Sequence, residues 1–276
     1  MNKLKKLKFI GKDTQLKIFL VLAIIVVLIA IFAPKIIPYS FDEEVGASLT
    51  APNGKYFFGT DQIGRDLFSR VIYGARYSIF MTMTLVFIIF VVGTVLGVIA
   101  GYFGGIADSV IMRIGDMMIA FPGLILAIAI AGLLGPSVRN AIIAISAVTW
   151  TKYARLARSM VLKIKQELYV EAAKITGSRN YSVIFKYIIP NMITTMIVTA
   201  VSDMGTLMLE IAALSFLGFG AQPPTPEWGA MLNEGRTTLS RAPWMMMYPG
   251  LAIVIVVIIF NMLGDSVRDL VDVKSE

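Results

Sequence analysis

Glu171-Ala172-Ala173-Lys174-Ile175-Thr176-Gly177, running on to Ile188-Ile189-Pro190, is a basic, water-compatible stretch set between two long apolar runs. Ile164, Leu168 and Glu171/Ala172 fall at helical spacing. Gly177 supplies a stop, or a turn with φ > 0, before a second short helix expected around 181–187. The stretch therefore reads as a helix-turn-helix lying outside the bilayer. Ala172 and Ala173 leave a low-relief surface that permits close approach, and Glu171 adds one charge. Pro190 falls where the next membrane helix is expected to begin, a position at which a missing N–H costs little.

Outward from this stretch, the composition sets the class. The chain has 276 residues, 57% of them apolar, with a mean hydropathy of +0.77, more than a soluble domain carries. A bilayer core of about 30 Å needs about 20 apolar residues in a helix rising about 1.5 Å per residue. Six such spans are expected, at 16–33, 79–101, 115–134, 138–158, 190–216 and 247–264. The first reads as an uncleaved helix, because its apolar run is long for a secretory leader and ends at Pro34 without a cleavage site. The expected organisation is a basic N-terminus (1–15), a first span (16–33), an outer loop (34–78), a five-helix core (79–264) interrupted by the basic loop 160–189, and a C-terminal tail (265–276).

Charge sets the orientation. With the N-terminus inside, 17 of the 25 Lys and Arg residues fall on cytoplasmic segments and 8 outside, the asymmetry expected of short cytoplasmic loops. The Glu171 loop and both termini are then cytoplasmic. The net charge of +7 is scattered along the membrane flanks, which speaks for topology and against a nucleic-acid partner.

There is no Cys and no His. That excludes Cys/His zinc, haem and iron–sulfur ligation, disulfides, and His-activated nucleophiles. No G-x-x-x-x-G-K-[ST] loop occurs, so ATP hydrolysis would have to reside on another subunit. The methionines at 117, 118 and 245–247 read as gap fillers in apolar helices rather than as soft-metal ligands.

Glu171-Ala172-Ala173, Gly177 and Pro190, at that spacing, resemble the EAA loop of inner-membrane permease subunits of bacterial ABC importers; Ile189 stands where that family often has Leu. Further segments resemble the dipeptide, oligopeptide and nickel branch, C-type subunit. They are Gly59-Thr60-Asp61-Gln62-Ile63-Gly64-Arg65-Asp66 with Ser69-Arg70, Ala120-Phe121-Pro122, Ser215-Phe216-Leu217-Gly218, Gln222-Pro223-Pro224-Thr225-Pro226-Glu227-Trp228-Gly229, and Asn261-Met262-Leu263-Gly264-Asp265 with Arg268-Asp269. The likeness spans about residues 57–270. It implies an all-α type I importer fold with six transmembrane helices, a homologous permease partner, two ATPase subunits that carry ATP and Mg, and an extracytoplasmic binding protein. It also implies ATPase coupling through Glu171, Ala172, Ala173, Gly177 and Pro190, and no cofactor on this chain. Cargo is expected to be peptides or nickel and metal chelates, with 150–159 and 203–205 slightly nearer the nickel type.

Two polar groupings carry the remaining expectations. In the fifth span Thr199, Asp203, Thr206 and Glu210 form one stripe on an otherwise apolar helix. Intramembrane carboxylates are costly against lipid, so the stripe lines a translocation pathway with an acidic surface, contacts a partner permease, or pairs with an Arg on another span. In the outer loop Ile63, Leu67 and Val71 recur every four residues and Asp66 is spaced to pair with Arg70, which suggests a helix on the outer face, either a gate or a cap. Asp61, Arg65, Asp66, Arg70, Pro224 and Trp228 are the candidates for an extracytoplasmic gate or binding-protein contact; the proline run is a fixed ledge or a rigid turn. Alternatives to a permease are a membrane scaffold or receptor, which predicts no coupling to ATP, and an intramembrane hydrolase restricted to Asp, Glu or Lys chemistry.

Overall fold

A computed structural model describes the backbone from residue 3 to 275 and side chains from 14 to 270. The described residues are helices joined by turns, with no strand beyond two isolated bridges. The helices are α1 (Lys3–Ile36), α2 (Leu67–Phe103), α3 (Gly105–Ile119), α4 (Gly123–Leu134), α5 (Val138–Ile164), α6 (Leu168–Ile175), α7 (Asn180–Val183), α8 (Ile189–Phe216), α9 (Trp228–Arg236) and α10 (Trp244–Ser275).

Among the described residues four helices are long and apolar enough to cross a membrane: Thr14–Ile36, Leu67–Phe103, Asn180–Phe216 and Trp244–Leu270. The other two expected spans depart from simple form. The third, expected over 115–134, is α3 and α4 meeting at 93°. Proline removes a helical donor and pushes its predecessor out of the α region, so the helix ends before Phe121-Pro122 and restarts at Gly123. At about 1.5 Å per residue neither piece alone crosses a core of about 30 Å. The fourth is α5, long enough at 27 residues but charged, with Lys152, Arg155, Arg158 and Lys163 along it.

What lets α5 sit inside the bundle is a seam against α2. Gly93, Gly97 and Gly101 recur every four residues, and a Cβ on any of them would collide with Tyr153, Ala157 or Val161 or with the α5 backbone between. Such small residues let membrane helices approach to backbone contact, where dispersion replaces the absent hydrophobic drive. Around the seam lies one core of α2, α4, α5 and α8, with Leu85, Ile89, Ile145, Tyr153, Met192 and Met196 buried. Two ion pairs fasten α3 to α5: Arg158 Nε and Nη2 donate to the two oxygens of Asp108 at 2.5 and 2.6 Å, and Arg155 Nη2 donates to Asp116 at 2.6 Å.

A second core gathers α1, the N-terminal part of α2, α9, α10 and two residues of α8, Met208 and Ala212, around Leu67, Ile79, Trp228 and Phe260. α1 is peripheral. Only 17% of its most apolar window is buried against the rest of the chain, compared with 44% for α2, so its outward Leu and Ile side chains suit lipid. α2 itself begins at Leu67, well before the expected 79. At about 1.5 Å per residue its 37 residues span about 55 Å and overreach the bilayer core.

Candidate functional site

On the cytoplasmic side as oriented by charge, α5 ends at Ile164 and α6 follows after a tight turn at 165–167. α6 turns Val170 and Ala173 inward. Leu168 and Ile175 are 83% and 86% exposed, and Ala172 lies between them on the same outward face. The two alanines are thus not equivalent. Ala173 packs into its own chain, and Ala172 alone contributes to the open surface. Charged Glu171 and Lys174 flank this apolar stripe and are exposed.

The end of α6 is fixed by its carbonyls. Gly177 N–H donates to Lys174 O and Ser178 N–H to Ala173 O, each at 3.0 Å, the paired bonds of a Schellman cap. The cap needs a left-handed residue after Thr176, and Gly177 supplies it with φ 84°. The knob is also braced against α2. Lys165 Nζ donates to Gly101 O at 3.0 Å, Tyr102 OH donates to Asn180 Oδ1 at 3.0 Å, and Lys174 lies over the Tyr102 ring.

The second short helix is not separate. α7 runs through a π-helical segment, Ile184–Ile188, straight into α8, so residues 180–216 form one rod. Pro190 stands in the first turn of α8, as expected, but that turn follows directly on the π segment rather than on a loop. The wider π turn accommodates it: Ile189 N–H reaches back five residues to Ile184 O, and Asn191 Nδ2 donates to Tyr187 O at 2.6 Å. A proline that cannot join the i→i−4 ladder is a common cause of such a bulge.

Midway along α5 and α8 the polar stripe meets a cation. Lys152 Nζ donates to both oxygens of Asp203 at 2.7 and 2.8 Å, and Tyr153 OH donates to Asp203 Oδ2 at 3.0 Å. The expected partner on another span exists, but it is lysine rather than arginine. The surface is therefore dipolar there, not simply acidic. Thr206 is exposed, Glu210 and Thr199 are half-buried, and Thr199 Oγ1 bonds its own helix at Thr195 O.

At the outer end the expected surface helix is absent. Residues 61–66 form a turn, and Asp66 caps α2, accepting from Ser69 N and Oγ at 2.8 and 2.7 Å. It does not pair with Arg70. That guanidinium, fully buried, donates to Glu234 of α9 at 2.9 Å and to Phe41 O at 3.3 Å, while Arg65 pairs with Asp61 at 2.5 Å. Asp61, Arg65, Asp66, Arg70 and Trp228 are all buried, and Trp228 Nε1 donates to Val71 O at 2.9 Å. They tie the outer turn to α9, leaving Pro224 as the one exposed member of the expected contact set.

Sequence reading missed Glu234, Glu227 and Lys152. Glu227 caps α9, accepting from Gly229 N and Ala230 N at 2.9 Å each and from Ser78 Oγ at 3.1 Å. Burial pushes its carboxyl above the usual carboxylate range, against the downward pull of these donors. Glu is not among the usual N-cap residues, so nothing in the spacing marked Glu227 as a cap.

Residues 93–275 match the family described as binding-protein-dependent transport system inner membrane component. The dipeptide transport system permease protein DppC of Alkalihalophilus pseudofirmus is 47% identical over 90% of this chain and 82% of its own length. The protein of the same name from Haemophilus influenzae is 41% identical over 92% and 89%. The glutathione transport system permease protein GsiD of Pectobacterium atrosepticum is 38% identical over 91% and 84%. The inward-facing MetNI methionine ABC transporter superposes with a TM-score of 0.58 over 74% of this chain and 97% of that one, at 18% identity, a likeness of fold. The chain belongs to the binding-protein-dependent inner membrane component family, as a multi-pass inner-membrane permease subunit of an ABC importer in the branch that holds these dipeptide and glutathione permeases.

Proposed function

We propose that this subunit, with a homologous permease partner, forms the pathway for short peptides handed over by an extracytoplasmic binding protein, and that two ATPase subunits, carrying ATP and Mg, drive it through α6. Both termini lie in the cytoplasm. The peptide assignment rests on the relatives named above, all called dipeptide or glutathione permeases; the slight lean of 150–159 toward the nickel type finds no counterpart in those names.

The observation that carries the reading is the outward face of α6. Leu168 and Ile175 on a short, capped helix, flanked by charge, are a surface that a soluble partner covers. The brace from Lys165, Tyr102 and Lys174 to α2, and the continuous rod from Asn180 into α8, would turn displacement of the knob into tilting of spans rather than local bending. Membrane scaffolding without transport has no use for such a brace.

Because the chain has no cysteine, Ile175→Cys provides a unique label. A membrane-impermeant maleimide is expected to modify it in inverted vesicles and not in intact cells, and added ATPase subunits are expected to protect it. Labelling from the outside, or no protection, contradicts the proposal.

A further inference from the structure

The pair in the middle of the bundle is unevenly built. Asp203 is the fixed member: its side chain is 15% exposed, and it is held by the hydroxyl of Tyr153, itself fully buried. Lys152 is the free member, 57% exposed and bonded to nothing except Asp203 among the interactions described. A long flexible ammonium leaning on an anchored carboxylate can swing away while the carboxylate keeps one hydrogen bond. Lipid is a poor neighbour for such a pair. An ion at mid-bilayer depth faces a partner or a watery cavity, and the exposed Thr206 and half-buried Glu210 continue the polar face along α8.

From this geometry we infer that Lys152 and Asp203 form a separable charge pair that holds a zwitterionic peptide by both ends, the peptide carboxylate on Lys152 and the peptide ammonium on Asp203. The inference rests on the peptide reading above. A free peptide carries both charges that the pair already satisfies for itself, so no charge is left unpaired once the exchange is complete. Two extended residues span about 7 Å, a gap that a lysine side chain opens by changing rotamers. Glu210 lies seven residues further along α8, about 10 Å toward the outer end, and offers an incoming ammonium a carboxylate before it reaches Asp203. An arrangement that only stitched helices together would gain nothing from leaving the lysine outside.

The test uses the whole transporter in proteoliposomes with its binding protein, with single-turnover uptake normalised to measured occupancy of the binding protein. The probes are dialanine, dialanine amide and N-acetyl-dialanine. The wild type is expected to move dialanine about ten-fold faster than either blocked form, the size of one charge-assisted bond. Lys152→Met should abolish the preference over the amide and keep that over the acetylated form. Asp203→Asn, which retains an acceptor for Tyr153, should do the reverse, and Lys152→Arg should behave as wild type. Equal loss for all three probes, or loss of the partner permease from either variant complex, overturns the inference in favour of a structural or subunit contact. Failure of the wild type to take up any of the three overturns the peptide reading itself, and this inference with it.

Discussion

The two water-facing ends of this bundle solve opposite problems. At the outer end charged side chains are buried and find their partners within the chain: Arg70 with Glu234, Arg65 with Asp61, Asp66 with the start of α2, Glu227 with the start of α9. At the α6 end the reverse holds, and apolar Leu168 and Ile175 stand exposed beside well-capped backbone. One end is closed on itself and the other is left to be completed. The difference separates residues that hold the fold from residues that await a neighbour, although the sequence motifs at both ends look equally polar and equally distinctive.

Substitutions at the two ends should therefore report on different things. The largest loss of stability is expected for Arg70→Ala, which removes the 2.9 Å partner of Glu234 and leaves it only Arg65 at 3.5 Å. Removing one member of a buried pair typically costs about 3–5 kcal/mol, read as a lowered unfolding midpoint of the purified complex. Glu234→Ala should cost a similar amount, and the double variant less than the sum of the two.

Glu227→Ala should follow at about 1–2 kcal/mol, the worth of a helix cap. Its raised carboxyl gives a definite sign with pH. A group whose folded pKa lies above its unfolded value contributes most below the unfolded value and loses that contribution as pH rises through the folded one. Unfolding of the wild type measured against Glu227→Gln should thus show the wild type losing ground as pH rises, and a gap independent of pH would count against the burial account.

Gly177→Ala is expected to cost about 1 kcal/mol, since open space surrounds the position and only the left-handed backbone resists a side chain. Smallest of all, Ile175→Asp should change stability by no more than about 0.5 kcal/mol, as for a surface site. A large destabilisation there would erase the contrast between the two ends.

Much of this was legible beforehand. Apolar runs of membrane length and the Lys/Arg asymmetry gave the helical class, and the EAA spacing pointed to the family. What stayed hidden depended on geometry that periodicity does not carry. No spacing carries the 93° angle between α3 and α4, or the pairing of α3 with Arg155 and Arg158 on α5. Ala172 and Ala173 are indistinguishable as letters, and helix phase puts one inside and one outside. Asp66 sits four before Arg70 and so suggests a pair, but a capping role for the residue just before a helix competes with pairing and wins. Lys152 lies far in sequence from Asp203, and no periodicity brings the two together. The Gly93, Gly97 and Gly101 spacing, by contrast, marks the α2–α5 seam directly.

The central claim is that the outward face of α6 is completed by the ATPase. Leu168→Asp with Ile175→Asp, made in the full transporter and assayed by co-purification in detergent, tests it most directly. The account predicts at least a ten-fold drop in ATPase recovered, the loss of about 1.4 kcal/mol of binding, with the permease pair still recovered intact; undiminished recovery of the ATPase would contradict it.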